Sequence, residues 1–183
     1  MSAHPEKVIH FGEEYSLEHL NTAQTHQFEW EDRQAKKMLT FNVSLEYATH
    51  CYCEETLDPI PEGAYSIVEH GRKNRVFCME RYSASRYMPN MLKELLVKPS
   101  TYIELHRDFS GQPNWALYQR HKNIPGSDSE PYHIFFRLDG KGYDDIYNVN
   151  LRVVSAYQKI HSKALNKKPV GFVIERKAKG LHV

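Results

Sequence analysis

The chain has 183 residues, with 24 Lys+Arg against 23 Asp+Glu for a formal charge of +1, and three cysteines. That length accommodates one domain with a real hydrophobic core, and 40% hydrophobic with 12% aromatic residues exclude a disordered or low-complexity chain. No apolar run approaches the ~18 residues of a membrane helix. The start, Met1 to Lys7, lacks the apolar stretch of a signal peptide, and three cysteines cannot complete a disulfide framework. The expectation is a cytoplasmic protein with reduced thiols and no membrane partner.

Along the chain, Val8–Phe11 predicts a short strand. His26–Glu31, with Phe28 and Trp30 in alternation, predicts the antiparallel partner of the clearest element, Met38–Tyr47. There Leu39, Phe41, Val43, Leu45 and Tyr47 alternate with polar residues, the period-2 signature of a half-buried strand. A charged turn at Asp32–Lys37 joins the two. The two prolines and the glycine of Leu57–Gly63 read as loop, and Arg75–Glu80 as a short strand. Met88, Leu92, Leu95 and Leu96 fall at helical spacing within Ser83–Val97, with Pro89 positioned to start or kink the helix.

Four further strands follow at Tyr102–Arg107, Trp115–His121, His133–Leu138 and Ile146–Val154. The first pair flanks Asp108–Pro113 and the second Asp139–Gly142, both with hairpin-loop composition. Ile124–Pro131 reads as a flexible loop, and Phe172–Lys179 as a short basic helix stopped at Gly180. The fold class is α+β: an antiparallel meander sheet with one main helix and a short C-terminal basic helix. The chain reads as one domain over 1–183, with an acidic extension at 1–37, a core at 38–157 and a basic segment at 158–183.

The near-zero charge conceals a gradient. Residues 1–62 carry four basic and twelve acidic side chains, net −8, and residues 152–183 carry eight basic side chains against Glu175 alone, net +7. A basic end of this kind, with Lys167, Lys168, Arg176, Lys177 and Lys179, is what phosphate binding requires. If the two ends touch, the same charges merely neutralise one another.

Two constellations could carry chemistry. Cys51 and Cys53 lie on one side of an extended chain after Thr49-His50, and with Cys78 they offer three thiols for a structural zinc site. Their C-x-C spacing is not that of a zinc knuckle, and buried free thiols are the alternative. The second constellation consists of His50, Arg81, His106, Arg152, Ser155 and Tyr157, all at or near strand ends. His133 is similarly placed. Metal-free RNA cleavage needs a base for the 2′-hydroxyl, an acid for the leaving oxygen and cations for the phosphorane, roles that His, Tyr, Arg and Lys fill. No phosphate-binding glycine loop, G-x-S-x-G elbow, H-E-x-x-H pair or dinucleotide fingerprint occurs, so no cofactor is expected.

Taken together, His50-Cys51, Arg81-Tyr82 with Ser85 entering a helix around Pro89, Phe135-Phe136-Arg137, Val154-Ser155-Ala156-Tyr157, Lys168-Pro169 and Lys179-Gly180 form a familiar pattern. It resembles small prophage- and mobile-element-associated bacterial proteins of the barnase–RelE-like nuclease superfamily. The resemblance covers roughly residues 39–180. It implies a helix preceding a four-stranded antiparallel sheet whose face cleaves RNA without metal. The function expected from it is an RNA-acting protein. Two alternatives stand beside it: a non-catalytic accessory protein of a mobile element, with a protein partner or a second copy as its ligand, and a small zinc-stabilised module.

Overall fold

The computed structural model describes residues 4–21, 24–32, 35–56, 59–69, 73–107, 113–119, 132–143, 146–157, 164–181 and 183. In chain order these form β1 (Lys7–His10), β2 (Glu13–Ser16), α1 (Glu18–Asn21), β3 (Gln24–Asp32) and β4 (Lys37–Tyr47). A 3-10 turn (Thr49–Cys51) leads to β5 (Cys53–Thr56), β6 (Ser66–Glu69), β7 (Lys73–Phe77), α2 (Met79–Ser85) and α3 (Met88–Val97). β8 (Tyr102–Arg107), β9 (Pro113–Gln119), β10 (Tyr132–Tyr143), β11 (Ile146–Tyr157), β12 (Asn166–Pro169) and α4 (Val170–Ala178) complete the molecule.

The main sheet has seven strands in the order β12-β8-β9-β10-β11-β4-β3; β1-β2 and β5-β7-β6 form two small sheets. The protein is therefore α+β and mostly sheet, but it is not a simple meander. β4 and β11 run parallel, Thr40 beside Ile146 through Tyr47 beside Val153. That pairing inserts the β3-β4 hairpin next to the last long strand, so an early and a late segment share the sheet centre.

One face of this sheet is the core. Leu39, Phe41, Val43 and Leu45 of β4, Val149, Leu151 and Val153 of β11, Ile134, Phe136 and Leu138 of β10 and Trp115 of β9 are buried there. Helices α3 and α4 join the same cluster, through Met88, Met91, Leu92, Leu95 and Leu96 and through Val170, Val173 and Ile174. The expected helix over Ser83–Val97 is two helices, α2 and α3, broken at Arg86–Tyr87. Pro89 sits in the first turn of α3, where its missing N–H costs nothing. The strand expected at Arg75–Glu80 is shorter, because α2 takes over at Met79.

Asp139–Gly142 is not a hairpin loop. β10 continues through it to Tyr143, paired all the way with β11. Gly140 serves close packing instead: a Cβ there would come within 2.9 Å of the Ala178 Cα on α4. The hairpin loop expected at Asp108–Pro113, apart from Pro113 at the start of β9, and the flexible loop expected at Ile124–Pro131 lie outside the described residues.

Candidate functional site

The opposite face of the main sheet carries the polar side chains, and the register aligns five of them in one row. His106 of β8 lies opposite Asn114 of β9. Arg137 of β10 donates from Nε to Asn114 Oδ1 at 2.9 Å and lies opposite Arg152 of β11. Arg152 in turn stands beside Glu46 of β4. With strands ~4.8 Å apart, the row runs roughly 19 Å across five strands. Arg137 and Arg152 are both exposed. Like charges directly opposite one another destabilise a sheet, and Glu46 on the other side of Arg152 offsets part of that repulsion.

A β-bulge decides what else reaches this face. Phe135 pairs with Ser155 but Phe136 pairs with Val153, so Val154 is the extra residue. Strict alternation from Leu151 and Val153 would have sent Ser155 and Tyr157 into the core. The bulge turns them to the polar face, where they join Arg152. There Phe135 is the hub. His106 meets it edge-on at 5.4 Å between centroids, Tyr157 at 5.2 Å, and His133 stacks at 6.1 Å.

Arg81 of α2 completes the cluster. Its guanidinium lies 5.9 Å from the Tyr157 ring centroid and donates to the carbonyls of His50 at 3.1 Å and Cys53 at 3.2 Å. Thus His106, Arg152, Ser155 and Tyr157 share the sheet face, Arg81 caps it at Tyr157, and His50 contributes through its carbonyl, from a 3-10 turn and not from a strand end. Sequence reasoning assigned no site role to Arg137, Asn114, Glu46 or Glu104. The same-parity run His133, Phe135, Arg137 was the signal available for the first of these.

Electrostatics divide the labour. His106 Nε2 and Glu104 Oε2 are 3.3 Å apart, and Lys167 Nζ of β12 reaches Glu104 Oε1 at 2.6 Å. Burial pushes the Glu104 carboxyl up, but Lys167 and then His106 outweigh it and hold it below its ordinary value. Glu104 stays ionised and contacts the His106 imidazole at Nε2. Burial raises the Tyr157 phenol, with Arg81 opposing, so it remains a proton donor at neutral pH.

The thiols do not assemble into a metal centre. Among the described residues no group of three or more His, Cys, Asp or Glu side chains is placed to hold a metal ion. Cys51 and Cys53 are buried and Cys78 is partly buried. Burial pushes the Cys51 thiol up to about 12, with Ala48 and Arg81 acting against it.

The basic segment divides by strand parity. On β12, Lys167 points to the polar face beside Glu104, whereas Lys168 lies over the Phe172 ring at 5.8 Å. Lys168, Arg176 and Lys179 line a cleft of about 520 Å³ beside α4; Lys177 lines a second one with Asn148 and Asn150. The acidic and basic ends do touch: Lys179 Nζ lies 2.7 Å from Asp32 Oδ2 and 2.7 Å from Glu175 Oε1, and Trp30 Nε1 donates to Glu175 at 3.0 Å. Lys179 is therefore spent on internal neutralisation and is withdrawn from the phosphate-binding set.

These features define an α+β sheet protein with a polar row on one face of its main sheet, in which Arg137 and Arg152 are exposed and His106 and Asn114 are buried. A family model described as the YjaZ family matches residues 7–178, and the chain belongs to that family. No curated protein and no solved structure matches it. Among the described residues no helix is long and apolar enough to cross a membrane.

Proposed function

We propose that the protein acts on RNA at the polar face of its main sheet, seating a backbone phosphate between Arg137 and Arg152 and cleaving the chain without metal. The observation that carries this reading is the cross-strand row His106–Asn114–Arg137–Arg152. In the reaction, the His106 imidazole accepts the 2′-hydroxyl proton. The 2′-oxygen forms a bond to phosphorus while the bond to the 5′-oxygen breaks, and the Tyr157 phenol protonates that leaving oxygen. The two arginines offset the charge on the phosphorane, and the Arg81 guanidinium steadies the Tyr157 phenolate until it takes a proton from solvent.

The test is incubation of the purified protein with total RNA, with and without EDTA, beside the Arg152→Ala and His106→Asn variants. Cleavage that survives EDTA and falls at least tenfold in both variants supports the reading. Intact RNA across a range of pH rules out the cleavage step. A second reading, an accessory protein that binds RNA without cutting it, is favoured by the burial of His106, which is 2% exposed. Bound but uncut RNA whose affinity depends on Arg152 selects it.

A further inference from the structure

The cleft beside α4 is unexplained by that chemistry: of the polar-face residues only Lys167, on the edge strand, also lines it. Its walls combine two kinds of group. Tyr102 is 64% exposed at the start of β8, and Trp30, Pro169 and Phe172 add three more flat surfaces. Lys168 and Arg176 supply the charge. Two of the cleft's acids are already engaged: Asp32 and Glu175 are both bound by Lys179, and Glu175 also takes the Trp30 indole hydrogen. Aromatic faces interleaved with cations, in a concave site, match the requirements of a base with its phosphate.

The position of the cleft points the same way. β12 is the sheet edge, antiparallel to β8, with Lys167 opposite Glu104 and Pro169 opposite Tyr102. Both lysines line the cleft, and Lys167 also reaches Glu104 on the polar face. A single strand lying on the arginine row therefore meets lysines on both sides of this edge as it passes around it.

We infer that the α4 cleft is a second subsite that stacks one base of a single-stranded RNA on Tyr102 and Phe172 and holds its phosphate at Lys168 and Arg176. The inference rests on the RNA-acting reading for its polyanion, but it uses different residues and can fail separately. Phe172 and Tyr102 are sequence-tolerant platforms, so the subsite accepts any base and its affinity is salt-dependent.

The chain has two tryptophans, and Trp115 is only 2% exposed; quenching of tryptophan fluorescence therefore reports Trp30, in the cleft. Titration with a short oligouridylate is expected to quench it. Tyr102→Ala is expected to weaken binding about tenfold. Lys168→Gln is expected to weaken it less and to lower the slope of log affinity against log salt by about 1. Arg152→Ala should leave the quench in place while abolishing cleavage, which separates failure of the subsite from failure of the catalytic reading. No quench, or unchanged affinity in both Tyr102→Ala and Lys168→Gln, overturns the inference. Displacement of the oligonucleotide by a proline-rich peptide that binds the same cleft more tightly overturns it as well.

Discussion

Gly171→Ala tests how tightly α4 is fitted to the sheet edge. A Cβ at this position would lie 2.3 Å from Trp30 Cε3 and 2.7 Å from both Cδ2 and Cζ3. Carbon atoms pack best at about 3.5–4.0 Å, so the indole would have to retreat by more than about 1 Å. It is not free to do so, because its Nε1 is bound to Glu175, which in turn is clamped to Lys179 and through it to Asp32. Overpacking of this kind costs about 1–3 kcal/mol, and the helix propensity gained over glycine returns at most about 1 kcal/mol. The expected net loss is about 1–2 kcal/mol, measured as a fall in the urea midpoint at unchanged m-value. In a Trp30→Leu background the same substitution should become neutral or slightly stabilising, because the obstructing ring is gone. A wild-type background in which Gly171→Ala is at least as stable as the parent, or equal effects in both backgrounds, refutes the close-approach argument.

The remaining expectations concern charge and protonation. Arg137→Ala should lower stability by about 0.5–1.5 kcal/mol through loss of the hydrogen bond to the buried Asn114, while RNA affinity falls; unchanged RNA affinity contradicts the phosphate seat. His19 is held down to about 4, first by burial and then by Arg86 and His4, and its Nε2 meets Ser85 Oγ at 2.8 Å. Because its folded value lies below the ordinary 6.5, the unfolded chain binds the extra proton. Stability is thus complete above pH 6.5 and declines as pH falls from 6.5 towards about 4, by about 1–2 kcal/mol after allowance for the exposed part of the ring. His19→Gln should flatten that segment of a stability–pH curve, and an unaltered slope would show that other groups carry it. Cys51 should react with a thiol reagent only at the rate of unfolding, since it is buried and its thiol is pushed up to about 12; rapid labelling of native protein would contradict this.

What the sequence makes legible is whatever one segment decides for itself. The ten-residue alternation of β4 is read correctly because its five apolar side chains need only one buried face, and β8 is read to its boundaries for the same reason. The parallel pairing of β4 with β11 has no local signature, since both strands alternate just as antiparallel neighbours would. Gly140 shows how one residue supports two readings: beside Lys141 and Gly142 it has turn composition, and only the approach of Ala178 reveals why no Cβ is tolerated there. The candidate site was half legible. Residue chemistry picked out His106, Arg152, Ser155 and Tyr157, yet the bulge at Val154 that puts the last two on the polar face adds no feature to the period-2 pattern. Arg137 and Asn114 matter only through their opposite numbers across the sheet, and these depend on register.

The parallel seam also sets a schedule for biosynthesis. Thr40 finds its neighbour at Ile146 and Tyr47 at Val153, so the β3-β4 hairpin is finished long before the strand that will flank it leaves the ribosome. At ~5–20 residues per second, roughly a hundred intervening residues take about 5–20 s to appear. Throughout that interval Leu39, Phe41, Val43 and Leu45, all buried in the end, belong to a nascent ribbon that still lacks one of its two neighbours. Closure over so large a sequence separation is slow, and an unpaired apolar strand edge is prone to wrong partners. This protein should therefore gain more from holdase chaperones, and from a slow supply of chain, than its modest size would suggest.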